Sequence, residues 1–235
     1  MKDNEADFSI PIPPFPIPLM TRDEKIKELQ KIADAVELCN LCPLYKTATR
    51  GVPGEGNPEA ELLFVGEGPG QKEDELGRPF VGAAGKFLEE LLQHVGLTRN
   101  DVYIGNVIKH RPPGNRDPLP DEVEACWPYL RRQIEVIQPK IIVLLGRHAL
   151  GRFLPGKSIS QARGKAYRVG ETVYFAMYHP AAALYQGSLR EILLKDMEKL
   201  PAILKQIKNG KSVPELEQPK ESHTASEGLQ QGKLL

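Results

Sequence analysis

Several groups of residues in this chain have the types and spacing to do chemistry. Cys39 and Cys42 form a Cys-x-x-Cys pair, and the remaining cysteine is Cys126. An odd, small number of cysteines is not a disulfide framework. The pair could be a redox couple or half of a metal site. A second group is the run Gly66–Phe87, GEGPGQKEDELGRPFVGAAGKF. Its glycines at 66, 68 and 70 allow close approach of backbone to a ligand. Glu67, Glu73, Asp74 and Glu75 place carboxylates beside that turn, and Phe80 follows in a stretch fixed by Pro79 and Gly82. The run lacks the Lys-Ser/Thr ending of a phosphate-binding loop and does not match G-x-G-x-x-G, so nucleotide binding has little support. On these residues alone, a glycine-rich connection with a solvated acidic face fits as well. A third group, Lys109–Pro118, is basic and rich in proline and glycine. Its Lys109, Arg111 and Arg116 could meet phosphates or simply face solvent. His179 stands directly before Pro180, one of five histidines, and a lone histidine is more often structural.

The surrounding pattern states what must position these residues. Thr21 and Glu24 have the capping-box spacing. Ile26, Leu29, Ile32, Ala33 and Val36 then recur at helical spacing, predicting a helix over 22–38 that delivers Cys39. Strands are expected at Glu61–Gly66, Val102–Val107, Lys140–Leu145 and Val173–Met177. Helices are expected at Ala84–Val95, with Gly96 at its C′ position, at Asp121–Ile137 with a kink at Pro128, at His148–Leu154 and at Leu189–Ile207. This alternation predicts an α/β fold, a three-layer α/β/α sandwich around a central four-stranded, mainly parallel sheet. Ligands bind such sheets beyond the carboxyl ends of the strands. The segments Glu67–Phe80, Lys109–Pro118 and Tyr178–Tyr185 should therefore share one rim.

Composition sets the outer bounds. The 235 residues suit one domain with tails, 40% are apolar, and 31 basic side chains balance 31 acidic ones. Neutrality gives no whole-chain argument for nucleic acid but leaves room for a local basic face. No apolar run approaches a membrane span, and the acidic, proline-rich start lacks a signal core, so a cytoplasmic protein is expected. Residues 1–20, with IPIPPFPIP, read as a polyproline tether. Residues 21–207 read as one folded domain, and 208–235 as a polar, disordered tail.

Taken together, several blocks in one order carry a resemblance. They are Gly66-Glu67-Gly68-Pro69-Gly70, Gly77-Arg78-Pro79-Phe80-Val81-Gly82 with Gly85, Asn106-Val-Ile-Lys109, Arg111-Pro-Pro-Gly-Asn-Arg116, and His179-Pro180-Ala181. From about Ala33 to Leu200 the chain resembles family 4 of the uracil-DNA glycosylase superfamily, the iron–sulfur enzymes. The resemblance implies a monomeric hydrolase of base excision repair. It would flip deoxyuridine out of single- or double-stranded DNA, cut the N-glycosidic bond and leave an abasic site. It implies a uracil pocket from Gly66, Glu67, Gly68, Phe80, Asn106 and His179. Phe80 would stack on the base, and the Asn106 carboxamide would match N3–H and O4. His179 would stabilise charge developing at O2. Many superfamily members carry an acid where this chain has Gly68, so the water-positioning carboxylate is sought at Glu73, with Glu67 second. Lys109, Arg111, Asn115, Arg116 and Arg163 would contact DNA, with Leu184, less surely Tyr185, as an apolar wedge.

The family holds a [4Fe–4S] cluster on four cysteines. Cys39, Cys42 and Cys126 match three of them, and His110 stands where the other is expected. Imidazole can replace thiolate on cluster iron, so the implied set is Cys39, Cys42, His110 and Cys126. Zinc on the same ligands is the chemical alternative. Two other functions stay open. One is a uracil-DNA binding protein that traps the sugar covalently on a histidine, although Arg111–Pro118 lacks the Lys/Arg-rich insertion of that branch. The other is a non-catalytic iron–sulfur accessory protein of replication or repair.

Overall fold

The computed structural model describes residues 20–211. The proline-rich segment and nearly all of the tail lie outside the described residues. The elements, in chain order, are α1 (Arg22–Glu37), β1 (Glu55–Gly56), β2 (Leu62–Gly66), α2 (Gln71–Leu76), α3 (Ala83–His94), β3 (Tyr103–Asn106), α4 (Pro120–Ile137), β4 (Ile141–Leu145), α5 (Arg147–Phe153), α6 (Ile159–Ala162), β5 (Ala166–Val169), β6 (Thr172–Met177), α7 (Ala182–Tyr185), α8 (Ser188–Met197) and α9 (Lys199–Lys208). The capping box forms as its spacing implies. Thr21 Oγ1 accepts from the Glu24 amide, and the Glu24 carboxylate accepts from the Thr21 amide.

The sheet has six strands in the order β1-β3-β2-β4-β6-β5. The four expected strands are its parallel centre. The count of four is corrected by two antiparallel edge strands, β1 on β3 and β5 on β6. Neither edge strand has an apolar run to announce it. β1 is two residues long, and β5 is half-buried throughout and carries Arg168.

Period-two alternation in the central strands feeds two cores, one per face. Leu63, Val65, Ile142, Leu144 and Ala176 pack with Leu130 and Ile137 of α4 and Phe153 of α5. Leu62, Phe64, Ile141, Val143 and Phe175 pack with Leu88 and Leu91 of α3 and Met197 of α8. The result is the expected α/β/α sandwich. Among the described residues no helix is long and apolar enough to cross a membrane.

Two helices depart from expectation. α4 runs through Pro128 without a break. Pro128 and Glu124 both lie on the exposed side, where water can take the carbonyl that proline leaves unpaired. The closing helix divides into α8 and α9 at Glu198. Pro201 falls in the first turn of α9, the part of a helix where a missing N–H is tolerated.

Candidate active site

The carboxyl ends of β2, β3 and β6 deliver Gly66, Asn106 and His179 to one rim. There Asn106 and His179 join Phe80 around a cavity of about 260 Å³, with Glu67, Gly68 and Glu73 also in its lining, while Gly66 packs against Asn106 Oδ1 and the Phe80 ring. The Phe80 and His179 rings stack with centroids 5.5 Å apart and planes 28° from parallel. Asn106 is buried, and its Oδ1 has no hydrogen-bond partner among the described residues. Native proteins rarely bury such an acceptor unpaired. A ligand donor would satisfy it.

Gly66 sets the width of this slot. A Cβ there would lie 2.5 Å from Asn106 Oδ1 and 2.6 Å from Phe80 Cζ. Gly66→Ala must push the amide and the ring apart. Overpacking of this kind costs about 1–3 kcal/mol, so excision is expected to fall about tenfold to hundredfold. The measurement is single-turnover uracil release, with melting temperature followed in parallel. Unchanged release would mean that the slot does not hold the substrate.

The imidazole of His179 is neutral. Burial draws its pKa down from 6.5 to about 4, with Glu73 opposing and His148 reinforcing the shift. The Ala181 amide donates to Nδ1 at 3.2 Å. Nδ1 is therefore the acceptor, and the ring proton sits on Nε2.

The two carboxylates differ. Glu73 Oε1 accepts from the Val81 and Gly82 amides at 2.8 and 2.7 Å, so it braces the loop that carries Phe80. Glu67 makes no such bond. Burial raises its pKa, and His148 pulls the other way. His148 Nε2 lies 3.6 Å from Glu67 and 3.3 Å from Asp117, and Arg147 pairs with Asp117. The oxygens of Glu67 and Asp117 and the His148 nitrogen lie within 4.8 Å of one another.

The expected DNA-contacting residues divide. Asn115 and Arg116 line the cavity mouth. Arg111 donates to Asn115 Oδ1 at 2.7 Å, and Arg116 pairs with the buried Glu122 at 2.6 Å. Leu184 and Tyr185 on α7 are exposed. Lys109 is corrected. It is fully buried, with Nζ donating to the Asn106 carbonyl at 3.0 Å and to Gln133 Oε1 at 2.8 Å. Its ammonium braces the strand end that carries Asn106 and cannot reach a phosphate at the surface. Arg163 does not line the cavity and pairs with the buried Asp196 at 2.9 Å.

Cys39, Cys42 and Cys126 are all buried and unbridged. Burial pushes the Cys126 thiol up to about 11, and the other two thiols lie near enough to oppose its ionisation further. The Lys109 amide donates to Cys126 Sγ at 3.4 Å, and His110 is the next residue in the chain. His110 is buried, its Nδ1 has no partner among the described residues, and it does not line the cavity. Buried unpaired thiols and a ring nitrogen without a partner among the described residues have the donor chemistry of a metal site, although the one group among those residues of three or more such side chains whose ligand atoms all lie within 4.8 Å of one another is Glu67, Asp117 and His148.

Sequence reading missed His148, Asp117, Glu55 and Arg99. Arg99 donates to the carbonyls of Pro79 and Phe80 and to Glu55. These hydrogen-bond partners are 19 to 44 residues away in sequence, so no local motif could have marked it. His148 lies in a helix whose apolar pattern gives no hint of an acidic partner at position 67.

Comparison with known proteins agrees with this geometry. Residues 53–205 match the family model described as the uracil DNA glycosylase superfamily. A type-4 uracil-DNA glycosylase from Sulfurisphaera tokodaii is 51% identical over 183 residues, covering 73% of this chain and 83% of the relative. Another from Archaeoglobus fulgidus is 50% identical over 184 residues, covering 74% and 92%. A third, from Saccharolobus solfataricus, is 47% identical over 186 residues, covering 75% and 86%. With an aromatic ring, a buried amide and a neutral imidazole meeting at the carboxyl rim of a parallel sheet, and with this extent of identity, the chain belongs to the uracil-DNA glycosylase superfamily, alongside its type-4 members.

Proposed function

We propose that this protein is a monofunctional uracil-DNA glycosylase. It takes deoxyuridine out of DNA and hydrolyses its N-glycosidic bond, leaving an abasic site. The observation that carries this reading is the unpaired Asn106 Oδ1 beside the Phe80–His179 stack. A flipped uracil would stack on Phe80, give its N3–H to Asn106 Oδ1 and accept from Nδ2 at O4. Cytosine has no N3 proton and carries an amino group at C4, so the same amide would reject it. His179 Nε2–H would donate to O2 as the base departs with negative charge. Glu67 is the carboxylate best placed to hold the attacking water and face the sugar cation, because Glu73 Oε1 is committed to two amides. Glu73 Oε2 keeps it second for that role.

Asn115, Arg111 and Arg116 would meet the phosphate backbone, and Leu184 would fill the gap left by the extruded base. We assign the activity to residues 21–207, working as a monomer on single- and double-stranded DNA. Segments 1–20 and 208–235 would serve as tether and tail. Purified protein incubated with a uracil oligonucleotide and then treated with alkali should break the strand at the uracil. No break would reject the reading.

Cys39, Cys42, His110 and Cys126 would hold a [4Fe–4S] cluster. When bound, the group would tie the end of α1 to α4 and to the loop that follows β3. Hydrolysis itself needs no electron transfer. Iron and sulfide analysis with a visible absorbance spectrum is expected to show about four irons per chain, retained in His110→Cys and lost in His110→Ala. Zinc in place of iron would overturn the cluster and keep the ligand set. The absence of His110 from the cavity lining argues against a covalent sugar adduct on it, and no adduct should survive SDS.

A further inference from the structure

We infer that Arg99 is a positioning residue for the stacking ring of Phe80, acting through the main-chain carbonyls of Pro79 and Phe80. The inference rests on Phe80 being the face on which the base stacks. Phe80 has a φ of +53°, a conformation rare for a bulky side chain and costly unless the surroundings enforce it. Those surroundings are visible on both sides of the residue. Ahead of it, Arg99 donates through Nη2 to the Pro79 carbonyl at 2.6 Å and through Nη1 to the Phe80 carbonyl at 2.9 Å. Behind it, Glu73 accepts from the next two amides. Gly85 leaves room for the turn, since a Cβ there would come within 1.9 Å of the Phe80 oxygen.

Arg99 is itself fixed. Its Nε and Nη2 reach Glu55 Oε1 at 3.0 and 2.6 Å, and Arg78 braces the same carboxylate at 2.7 Å. The Arg99 side chain is 15% exposed, unlike a solvated surface pair. Glu55 lies on β1, opposite Ile104 of β3, and β3 ends in Asn106. The chain of contacts from Glu55 through Arg99 to the Phe80 carbonyls therefore references the ring to the strand that carries the amide. It holds the two halves of the base slot at a fixed separation. The planar guanidinium fork spans two carbonyls and a carboxylate at once, a fixed geometry that an ammonium on a flexible stem does not reproduce.

The test is a double-mutant cycle on the full-length, cluster-loaded protein. kcat/KM for a uracil oligonucleotide is measured for Arg99→Met, Phe80→Ala and the pair, well below each melting temperature. Misplacing a substrate-holding group by about 1 Å can cost up to about a hundredfold. Arg99→Met is expected to lose about tenfold to hundredfold. In the Phe80→Ala background the same change should cost less than about twofold, because there is no ring left to place. Losses that multiply, or an Arg99→Met protein as active as wild type, would overturn the inference while leaving the stacking role of Phe80 intact. A fully active Phe80→Ala would overturn the stacking role and the inference with it. Should Arg99→Met fail to fold, Arg99→Lys and Glu55→Gln go through the same cycle, with the same cancellation expected.

Discussion

Asn106→Ala is expected to lower uracil release by a factor on the order of 10²–10⁴ while leaving the fold as stable as before or more so. The two effects have opposite signs because of one fact. Asn106 Oδ1 is buried and has no partner among the described residues, so within them the acceptor makes no hydrogen bond to offset its desolvation cost. Removing it relieves a buried unsatisfied group. In the complex with an extruded uracil, the same carboxamide would make two hydrogen bonds, each worth about 1–3 kcal/mol when its loss strands a buried partner. The substitution also deletes a face of the slot without disturbing the strand, whose end is held by Lys109 Nζ on the Asn106 carbonyl. Single-turnover release of labelled uracil and a thermal melt are the two measurements. A melting temperature that falls in step with activity would mean that Asn106 is structural. Undiminished release would mean that the base is read elsewhere. A stability–activity trade of this kind is the mark of a residue kept for a ligand and not for packing.

The central strands were readable in the sequence because burial on both faces leaves uninterrupted apolar runs, such as Leu62–Val65 and Ile141–Leu145. The rim followed from them, since parallel strands present all their carboxyl ends to one side. That is why Asn106 and His179, 73 positions apart, are expected at one rim from strand order alone. The edge strands were not readable. β1 is specified by its pairing to β3 and not by its own two residues. The buried charges were unreadable for a related reason. Lys109 sits in a run of basic and proline residues and looks like its neighbours Arg111 and Arg116. Only the packing of Gln133 from α4 beneath it turns it inward. Arg99 and Glu55 likewise become partners only through the fold, 44 residues apart in sequence, with Glu55 held on β1 by its pairing to β3. Local pattern encodes elements and their order, whereas the braces that set site geometry depend on side chains meeting across the fold.

His179→Leu is expected to lower kcat/KM by about 10²–10³, the cost of removing one preorganised donor from a developing oxyanion. His179→Gln, which keeps an N–H, should lose less. The pH dependence distinguishes this role from that of a cationic imidazole. Burial holds the His179 pKa at about 4 against an ordinary 6.5, and the Ala181 amide already donates to Nδ1. A second ring proton would therefore face a donor. In the window between those two values the unfolded chain binds a proton that the folded chain refuses. Stability is then lost as pH falls through it, by about 3 kcal/mol in all, and His179→Gln should flatten that slope. Activity, in contrast, should show no break near 6.5. On the proposed role, its acid limb would belong to Glu67, whose carboxyl is raised above its ordinary 4.5 by burial and would have to be ionised to hold water and face the sugar cation. Glu67→Gln should lower the plateau and erase that limb, leaving only the fall near pH 4 where His179 charges. A kcat/KM profile with a limb near 6.5 that vanishes in His179→Gln would require a cationic imidazole in the reaction and overturn the neutral donor.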